Sequence, residues 1–451
     1  MRGWVAADRG SGGRWWAAHR AWSPRNVVAE DLRAIVDLIG GAARDFDRWR
    51  EVLGSGVRAA RVVAGIAVIV ALAGCTGIGQ SPGPVTPSST GPNKATSSPP
   101  GTGAPSVVRV VGTVPGSAGI LLGMTDDHRL LMATVAGSAT SGTETLRLYD
   151  PVTRTSEQVR GPEASATSEV TAATGDTRHV VWVQSPPQDE ARPGVDWSMF
   201  VYDRATRSTT LLARAPKVAG YARPPGVPGT TAPVLFEGRV YWTEARTQPK
   251  GIDLPVVEIM SIPVVGGPKR AEVINAWEPS PTAAGLVALR SPALSGKRVG
   301  GSFQVLLVSG PQQVSPLYTG KLGDAEAIVS LTASDSGVAW LTQAGFDQPT
   351  GVTGSTLHLL APGSDAAIEE HSSPNEVWGN LICSTSLIGW YDYGGVTGGN
   401  QYATSWKAGN PQVLAPASAL GDMAVSGDTI AWSIAGPAGQ ARLAYRLGRA
   451  S

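Results

Sequence analysis

A strand pair built around one bulky anchor residue recurs seven times after residue 105, and this repetition is the strongest constraint on the fold. Each repeat has a turn containing Gly or Asp, an apolar strand carrying the anchor, a loop, and a second strand with alternating apolar residues. The anchors are Met132, Trp182, Trp242, Leu289, Trp340, Trp390 and Trp432, spaced by 50, 60, 47, 51, 50 and 42 residues. A short strand of small residues precedes each anchor, and in six repeats a polar hairpin leads to a fourth strand. Such spacing, with four strands per repeat, is typical of the blades of a β-propeller.

The two ends of the repetitive region complement each other. The seventh repeat stops after Leu447 with no residues for an outermost strand, whereas Val107 to Val114 form a strand that belongs to no repeat. Pairing these two strands would complete the last blade and remove an exposed sheet edge. We therefore predict an all-β fold, a seven-bladed β-propeller over residues 106–451 closed by its N-terminal strand, with six or eight blades as alternatives.

The repeats resemble TolB-like and related WD-type propellers over about residues 106 to 451. Tyr241, Trp242, Thr243 and Glu244 also look like one YWTD repeat with Glu in place of Asp, although that family usually forms six blades. The resemblance implies the fold and leaves function open, because propellers host hydrolases, lyases, receptors and scaffolds alike.

An apolar run from Val62 to Ala73 follows Arg58 and Arg61 and is too short to cross a bilayer comfortably. It matches the apolar core of a secretion signal. Its end resembles the bacterial lipobox, formed by Leu72, Ala73, Gly74 and Cys75. We predict a lipoprotein signal peptide over residues 57–75, with lipid on the Cys75 thiol holding the protein at the extracytoplasmic face of the cell membrane. An uncleaved single-pass anchor is the alternative.

The segments on either side of this signal carry no propeller repeat. Residues 1–56 form an N-terminal extension, which we interpret as a misplaced translation start in an actinobacterium-like, high-GC coding sequence. A cytoplasmic helix joined to an external sensor is the other interpretation. Residues 76–105 are almost wholly Gly, Ser, Thr and Pro, with Lys94 as the only charge. Such a linker cannot offset the entropy of ordering, so we expect it to be disordered and to act as a tether of roughly 30 Å, or roughly 90 Å when stretched.

Charge and cysteine content exclude two classes of protein. The chain after Cys75 has 26 basic and 29 acidic residues, a net charge of −3, so no concentrated basic face for nucleic acid is expected. Two cysteines are too few for a disulfide framework. Cys383 follows Leu381 and Ile382 in an apolar stretch, and we interpret it as a small core residue.

The sequence contains no motif that identifies a catalytic centre. No pair of histidines has the spacing of metal ligands, and neither a Gly-x-Ser-x-Gly elbow nor a phosphate-binding glycine loop is present. We therefore predict no catalytic residues, no metal and no cofactor, while a triad assembled from distant blades stays open. Asp189 and Glu190 lie in a Pro-rich loop, and we interpret them as solvated.

Propeller geometry indicates where a partner would bind. The connections between the second and third strands of all blades emerge on one face, and here they are long. Long loops on a rigid scaffold are where binding residues concentrate. They carry aromatic and charged candidates, namely Trp197, Arg246, Arg298, Phe346, Asp347, Tyr391, Asp392 and Tyr393. We predict a binding or scaffold module for a protein or an envelope polysaccharide; the competing prediction is a hydrolase or lyase that acts on envelope carbohydrate or peptide.

Overall fold

The structure, a computed structural model, describes residues 107–451 except for stretches at 116–118, 137–142, 161–168, 186–195, 219–231, 248–255, 292–298, 346–351, 365–367, 375, 394–398, 407–409, 419–421 and 435–443. The predictions for the N-terminal extension, the signal peptide with Cys75 and the linker therefore lie outside the described residues. Within the described ranges, no helix is long and apolar enough to cross a bilayer.

Twenty-eight strands make up the described fold. The first, β1, spans Val108–Val114. Blade 1 contains β2 (Ile120–Met124), β3 (Leu130–Ala136), β4 (Thr143–Asp150) and β5 (Thr155–Arg160). Blade 2 contains β6 (Glu169–Gly175), β7 (His179–Ser185), β8 (Ser198–Asp203) and β9 (Ser208–Arg214). Blade 3 contains β10 (Val234–Phe236), β11 (Arg239–Thr247), β12 (Val256–Pro263) and β13 (Arg270–Ile274).

The remaining blades follow in the same order. Blade 4 contains β14 (Trp277–Thr282), β15 (Gly285–Arg290), β16 (Gly301–Gly310) and β17 (Gln313–Leu322). Blade 5 contains β18 (Glu326–Ser334), β19 (Gly337–Ala344), β20 (Gly354–Leu360) and β21 (Ile368–Pro374). Blade 6 contains β22 (Trp378–Cys383), β23 (Leu387–Asp392), β24 (Gly399–Ser405) and β25 (Gln412–Ser418). Blade 7 contains β26 (Met423–Ser426), β27 (Thr429–Ile434) and β28 (Ala444–Ala450).

Each blade is a four-stranded antiparallel sheet, and the sheets are arranged in a ring. In six of the sheets the strands pair in chain order. The first strand of each blade contacts the first strand of the next blade, so the first strands are the innermost ones. The seventh sheet has the order β1-β28-β27-β26. The prediction of a seven-bladed β-propeller closed by its N-terminal strand is therefore confirmed.

Main-chain and side-chain hydrogen bonds both hold the closing strand. β1 pairs with β28 from Val108 opposite Ala450 to Val114 opposite Tyr445. Gln412 of blade 6 accepts from the Val108 N–H at 2.8 Å and donates to the Val108 carbonyl at 3.3 Å. Val108 is buried, so its backbone polar groups need partners, and a side chain far away in sequence supplies them.

The hydrophobic core consists of seven clusters, one at each contact between neighbouring blades. All seven anchor residues are at most 1% exposed, as the repeated bulky position predicted. Burying one such side chain stabilises the fold by about 2 kcal/mol or more, so packing between blades is the main source of stability.

Cys383 lies at the end of β22, where it is partly buried against the cluster between blades 5 and 6. The Thr332 hydroxyl donates to its Sγ at 3.1 Å. Burial raises the pKa of the Cys383 thiol to about 12, which keeps it protonated and unreactive at neutral pH.

Candidate functional site

The two faces of the ring differ in their connections. On one face, which we call the loop face, the chain passes from the second to the third strand of each blade; between Ser185 and Ser198 this takes a long segment. On the other, the turn face, connections are short, as between Phe236 and Arg239 or between Gly310 and Gln313. Most residues of the loop-face connections, including Arg298, Phe346 and Asp347, lie outside the described residues.

Trp197 is buried between blades 2 and 3, although the sequence analysis predicted it to be a binding residue. It is 4% exposed, and its ring meets that of Trp242 in blade 3 edge-on, with centroids 6.3 Å apart. Burial of so large an apolar ring between blades is more favourable than its exposure on a loop. We correct the expectation accordingly: Trp197 joins blade 2 to blade 3.

Arg246 is described at the loop-face end of blade 3. It is the extra residue of a β-bulge, because the register of β11 against β12 shifts between Ala245 and Thr247. Its guanidinium donates to Glu258 at 3.3 Å, while 45% of the side chain remains exposed. Bulges re-aim side chains at functional edges of sheets, and this one turns Arg246 towards a buried carboxylate.

Two buried glutamates face each other beneath Arg246. Glu244 pairs with Glu258 across β11 and β12. Glu244 accepts from the Trp242 indole N–H at 3.0 Å and from Lys269 at 2.9 Å. Burial raises the pKa of Glu258, with Glu244 acting in the same direction, although Arg246 and Lys269 oppose them. Each acid therefore has its own cation, as buried carboxylates require.

Tyr391, Asp392 and Tyr393 lie together at the loop-face end of blade 6. The Tyr391 hydroxyl accepts from the Gly399 N–H at 3.0 Å, which links the two sides of the intervening connection. Burial raises the pKa of Tyr391. Asp392 accepts from the Val377 N–H at 3.0 Å, so both side chains hold the backbone.

Tyr393 continues this cluster towards the ring axis. Its ring stands edge-on to Tyr391, with centroids 4.9 Å apart, and covers Gly379 of the innermost strand. A Cβ at Gly379 would lie 2.5 Å from the Tyr393 ring, so only glycine allows this approach. Tyr393 is the partly exposed member of the three.

The predicted binding residues that the structure describes at the loop face belong to different blades. Arg246 belongs to blade 3 and the Tyr391–Tyr393 cluster to blade 6, with blades 4 and 5 between them. The described residues contain no group of three or more His, Cys, Asp or Glu side chains arranged to hold a metal ion.

The innermost strand of blade 4 carries an acid, Glu278, that the sequence analysis did not single out. Five innermost strands carry a bulge, in blades 1, 2, 4, 5 and 6. In blade 4 the bulge contains Glu278, whose backbone has a φ of 50°. Asn380 in blade 6 has the same φ. Asn tolerates this left-handed region, whereas Glu adopts it rarely, so the Glu278 backbone is strained.

Glu278 is partly accessible, yet burial raises its pKa to about 8. The surrounding protein removes much of the water that would otherwise solvate the charged form of this carboxyl. The signal in the sequence is a single acid between Trp277 and Pro279 in a short stretch of otherwise small and apolar residues.

The turn face carries two arginine–aspartate ion pairs, one between blades 1 and 2 and one within blade 2. Arg204 forms an ion pair with Asp127 at 3.0 Å, and Arg178 forms one with Asp203 at 2.9 Å. These arginines line a shallow cavity of about 410 Å³. Because Arg178 and Arg204 are already paired with aspartates, we interpret this cavity as part of the contact between blades.

No protein-family profile and no curated protein matches the chain. Among solved structures, an oligogalacturonate lyase from Vibrio parahaemolyticus is 12% identical, with a TM-score of 0.46, over 75% of this chain and 91% of that one. The β-propeller domain of the Trilobed protease from Pyrococcus furiosus is 7% identical, with a TM-score of 0.45, over 66% and 84%. The acylaminoacyl peptidase of Pyrococcus horikoshii is 10% identical, with a TM-score of 0.42, over 65% and 44%. Identities this low indicate a likeness of fold alone.

Proposed function

We propose that the protein is an extracytoplasmic lipoprotein whose propeller acts as a binding or scaffold module for a protein or an envelope polymer. The observation that carries this proposal is the asymmetry of the ring, which has long connections on the loop face and tight turns on the other. The lipid anchor at Cys75, the tether and the likeness to TolB-like or WD-type propellers belong to the proposal and rest on the sequence.

Tyr393 is the described residue best placed to contact the partner. It lies at the loop face and is partly exposed. Its ring packs edge-on against Tyr391, and its backbone N–H donates to the Val377 carbonyl at 2.6 Å. A rigid aromatic ring binds at low entropic cost, which suits both protein surfaces and sugar rings. Tyr391 and Asp392 act indirectly by holding the backbone beneath it.

Site-specific photo-cross-linking on intact cells tests this function. A photoreactive phenylalanine analogue at Tyr393 is expected to capture a defined partner, and Tyr393→Ser in otherwise native protein should weaken binding of that partner. The matched control carries the analogue at Val152, which is 89% exposed on the turn face. Equal capture from both faces, or none from Tyr393, would show that the loop face is not the binding surface.

A second candidate is an envelope hydrolase or lyase, and the paired carboxylates of blade 3 are the observation in its favour. Glu258 has a raised pKa and lies opposite Glu244, an arrangement that general acid–base catalysis can use. Turnover of envelope carbohydrate or peptide that is lost in Glu258→Gln and kept in Glu237→Gln would support this candidate. Absence of turnover on both substrate classes would leave the binding module as the better account.

A further inference from the structure

Glu278 stands at the seam between the innermost strands of blades 4 and 5. Its Oε2 accepts a hydrogen bond from the Leu331 N–H of β18. Two residues further on, the Ser280 hydroxyl accepts from the Ala333 N–H at 2.7 Å and donates to the Ala333 carbonyl at 3.0 Å. Side chains of β14 therefore satisfy backbone groups of β18 that have no strand partner on that side.

This seam does not require a carboxylic acid. Ser280 performs the same task with a neutral hydroxyl, and a glutamine at 278 could accept from Leu331 equally well. Glu278 also has a left-handed backbone, which costs about 1 kcal/mol or more. The structural role therefore leaves the acid itself unexplained.

The buried glutamates in the described part of the chain each have a basic partner. Glu244 has Lys269, Glu258 has Arg246 and Glu272 has Arg270. Within the described residues Glu278 has no such cation. Burial is the main cause of its raised pKa, whereas the hydrogen bond from the Leu331 N–H lowers the pKa. A buried acid of this kind is stabilised in its charged form when a cation is supplied from outside.

The geometry restricts the cation. Oε2 is occupied by the Leu331 N–H, whereas Oε1 has no hydrogen-bond partner among the described residues and is not enclosed from solvent. A guanidinium pairs best with both oxygens of a carboxylate, but an ammonium needs only one. Glu278 is also the second residue of β14, which begins at the loop face, so the group would enter from that side.

We propose that Glu278 is a binding site for a primary ammonium group that enters the central channel from the loop face. Binding pairs the ammonium with the ionised carboxylate, and Glu278 releases one proton to solvent in the process. The site belongs to the innermost strands rather than to the loops, so it can exist whether or not the loop face binds a macromolecule.

Butylammonium chloride is the probe, compared with methylguanidinium, tetramethylammonium and sodium chlorides at equal ionic strength. In the full-length protein with a ¹³C-labelled Glu278 carboxyl, increasing butylammonium should move the titration midpoint of that carboxyl progressively to lower pH. At ten times its dissociation constant the shift is about one pH unit. Methylguanidinium should act more weakly, and tetramethylammonium, which has no N–H donor, should act like sodium.

Two variants separate binding from the structural role. At pH 8 butylammonium should raise the unfolding temperature of the native chain and of Ser280→Ala, which loses only the neighbouring seam contact, but not that of Glu278→Gln. An unchanged Glu278 midpoint in the native chain, or an equal stabilisation of Glu278→Gln, would overturn the proposal. The carboxyl titration uses the native sequence, so it decides the question even if a variant folds poorly.

Discussion

The pH dependence of folding stability reports directly on Glu278. Burial raises the pKa of this carboxyl from 4.5 to about 8 in the folded chain, whereas in the unfolded chain water solvates it and its usual pKa returns. Between these two values the folded state keeps a proton that the unfolded state has lost. The contribution of Glu278 to stability is therefore complete below pH 4.5 and decreases as the pH rises to 8.

The size of this effect follows from the shift in pKa. One pKa unit corresponds to about 1.4 kcal/mol, so the free energy of unfolding should fall by about 2.5 kcal/mol between about pH 5 and about pH 7 because of this residue alone. For a ring of this size the decrease corresponds to about 3 °C in the unfolding temperature. Glu278→Gln keeps an acceptor for the Leu331 N–H but cannot ionise.

Thermal unfolding of the native chain and of Glu278→Gln across this pH range measures the difference. We expect the variant to gain stability relative to the native chain as the pH rises. Glu237→Gln is the matched control, because Glu237 also has a positive φ, of 47°, but lies exposed in a turn. Parallel pH profiles for the native chain and Glu278→Gln would refute the assignment of Glu278 to a desolvated channel wall.

Three further predictions concern ring closure and the core. Deletion of Val107 to Val114 should lower the unfolding temperature and promote aggregation, since it exposes an edge of β28, whereas calorimetry of a protein lacking residues 76–100 should show a nearly unchanged transition. Gly448→Val should cost about 2 kcal/mol in denaturant unfolding, because a Cβ there would lie 2.3 Å from Val108, and a cost near zero would contradict the close packing. Cys383 should react slowly with a thiol reagent in the native protein and rapidly in denaturant; fast native labelling would show that the thiol is not buried.

The architecture could be predicted because it depends on features that repeat along the chain. One bulky residue per repeat must pack between neighbouring blades, so Trp182, Trp340 and their equivalents identify the second strand of each blade from the sequence alone. Closure was predictable for a similar reason, since the unpaired strand β1 matched the missing strand of blade 7. A pattern that recurs in seven repeats identifies strands that could not be assigned from a single short stretch of sequence.

The candidate sites were less predictable because they depend on pairing register and on contacts between blades. The positive φ of Glu278 and its bulge follow from the alignment of β14 with β15, which the local sequence does not specify. Trp197 looked like a loop residue because the sequence does not show that Trp242 of the next blade lies beside it. Arg246 was expected to be free for binding, and only the register of β11 and β12 places Glu258 within its reach.

Export and anchoring at Cys75 decide whether the loop face meets the cell envelope at all. Mass spectrometry of the mature protein from the membrane fraction determines its first residue and any modification on it. We predict that Cys75 is the first residue and carries diacylglycerol, and that Cys75→Ser releases the propeller from the membrane or leaves its signal uncleaved. Mature protein that retains peptides from residues 1–74, or that has an unmodified Cys75, would contradict the proposal of a lipid-anchored propeller.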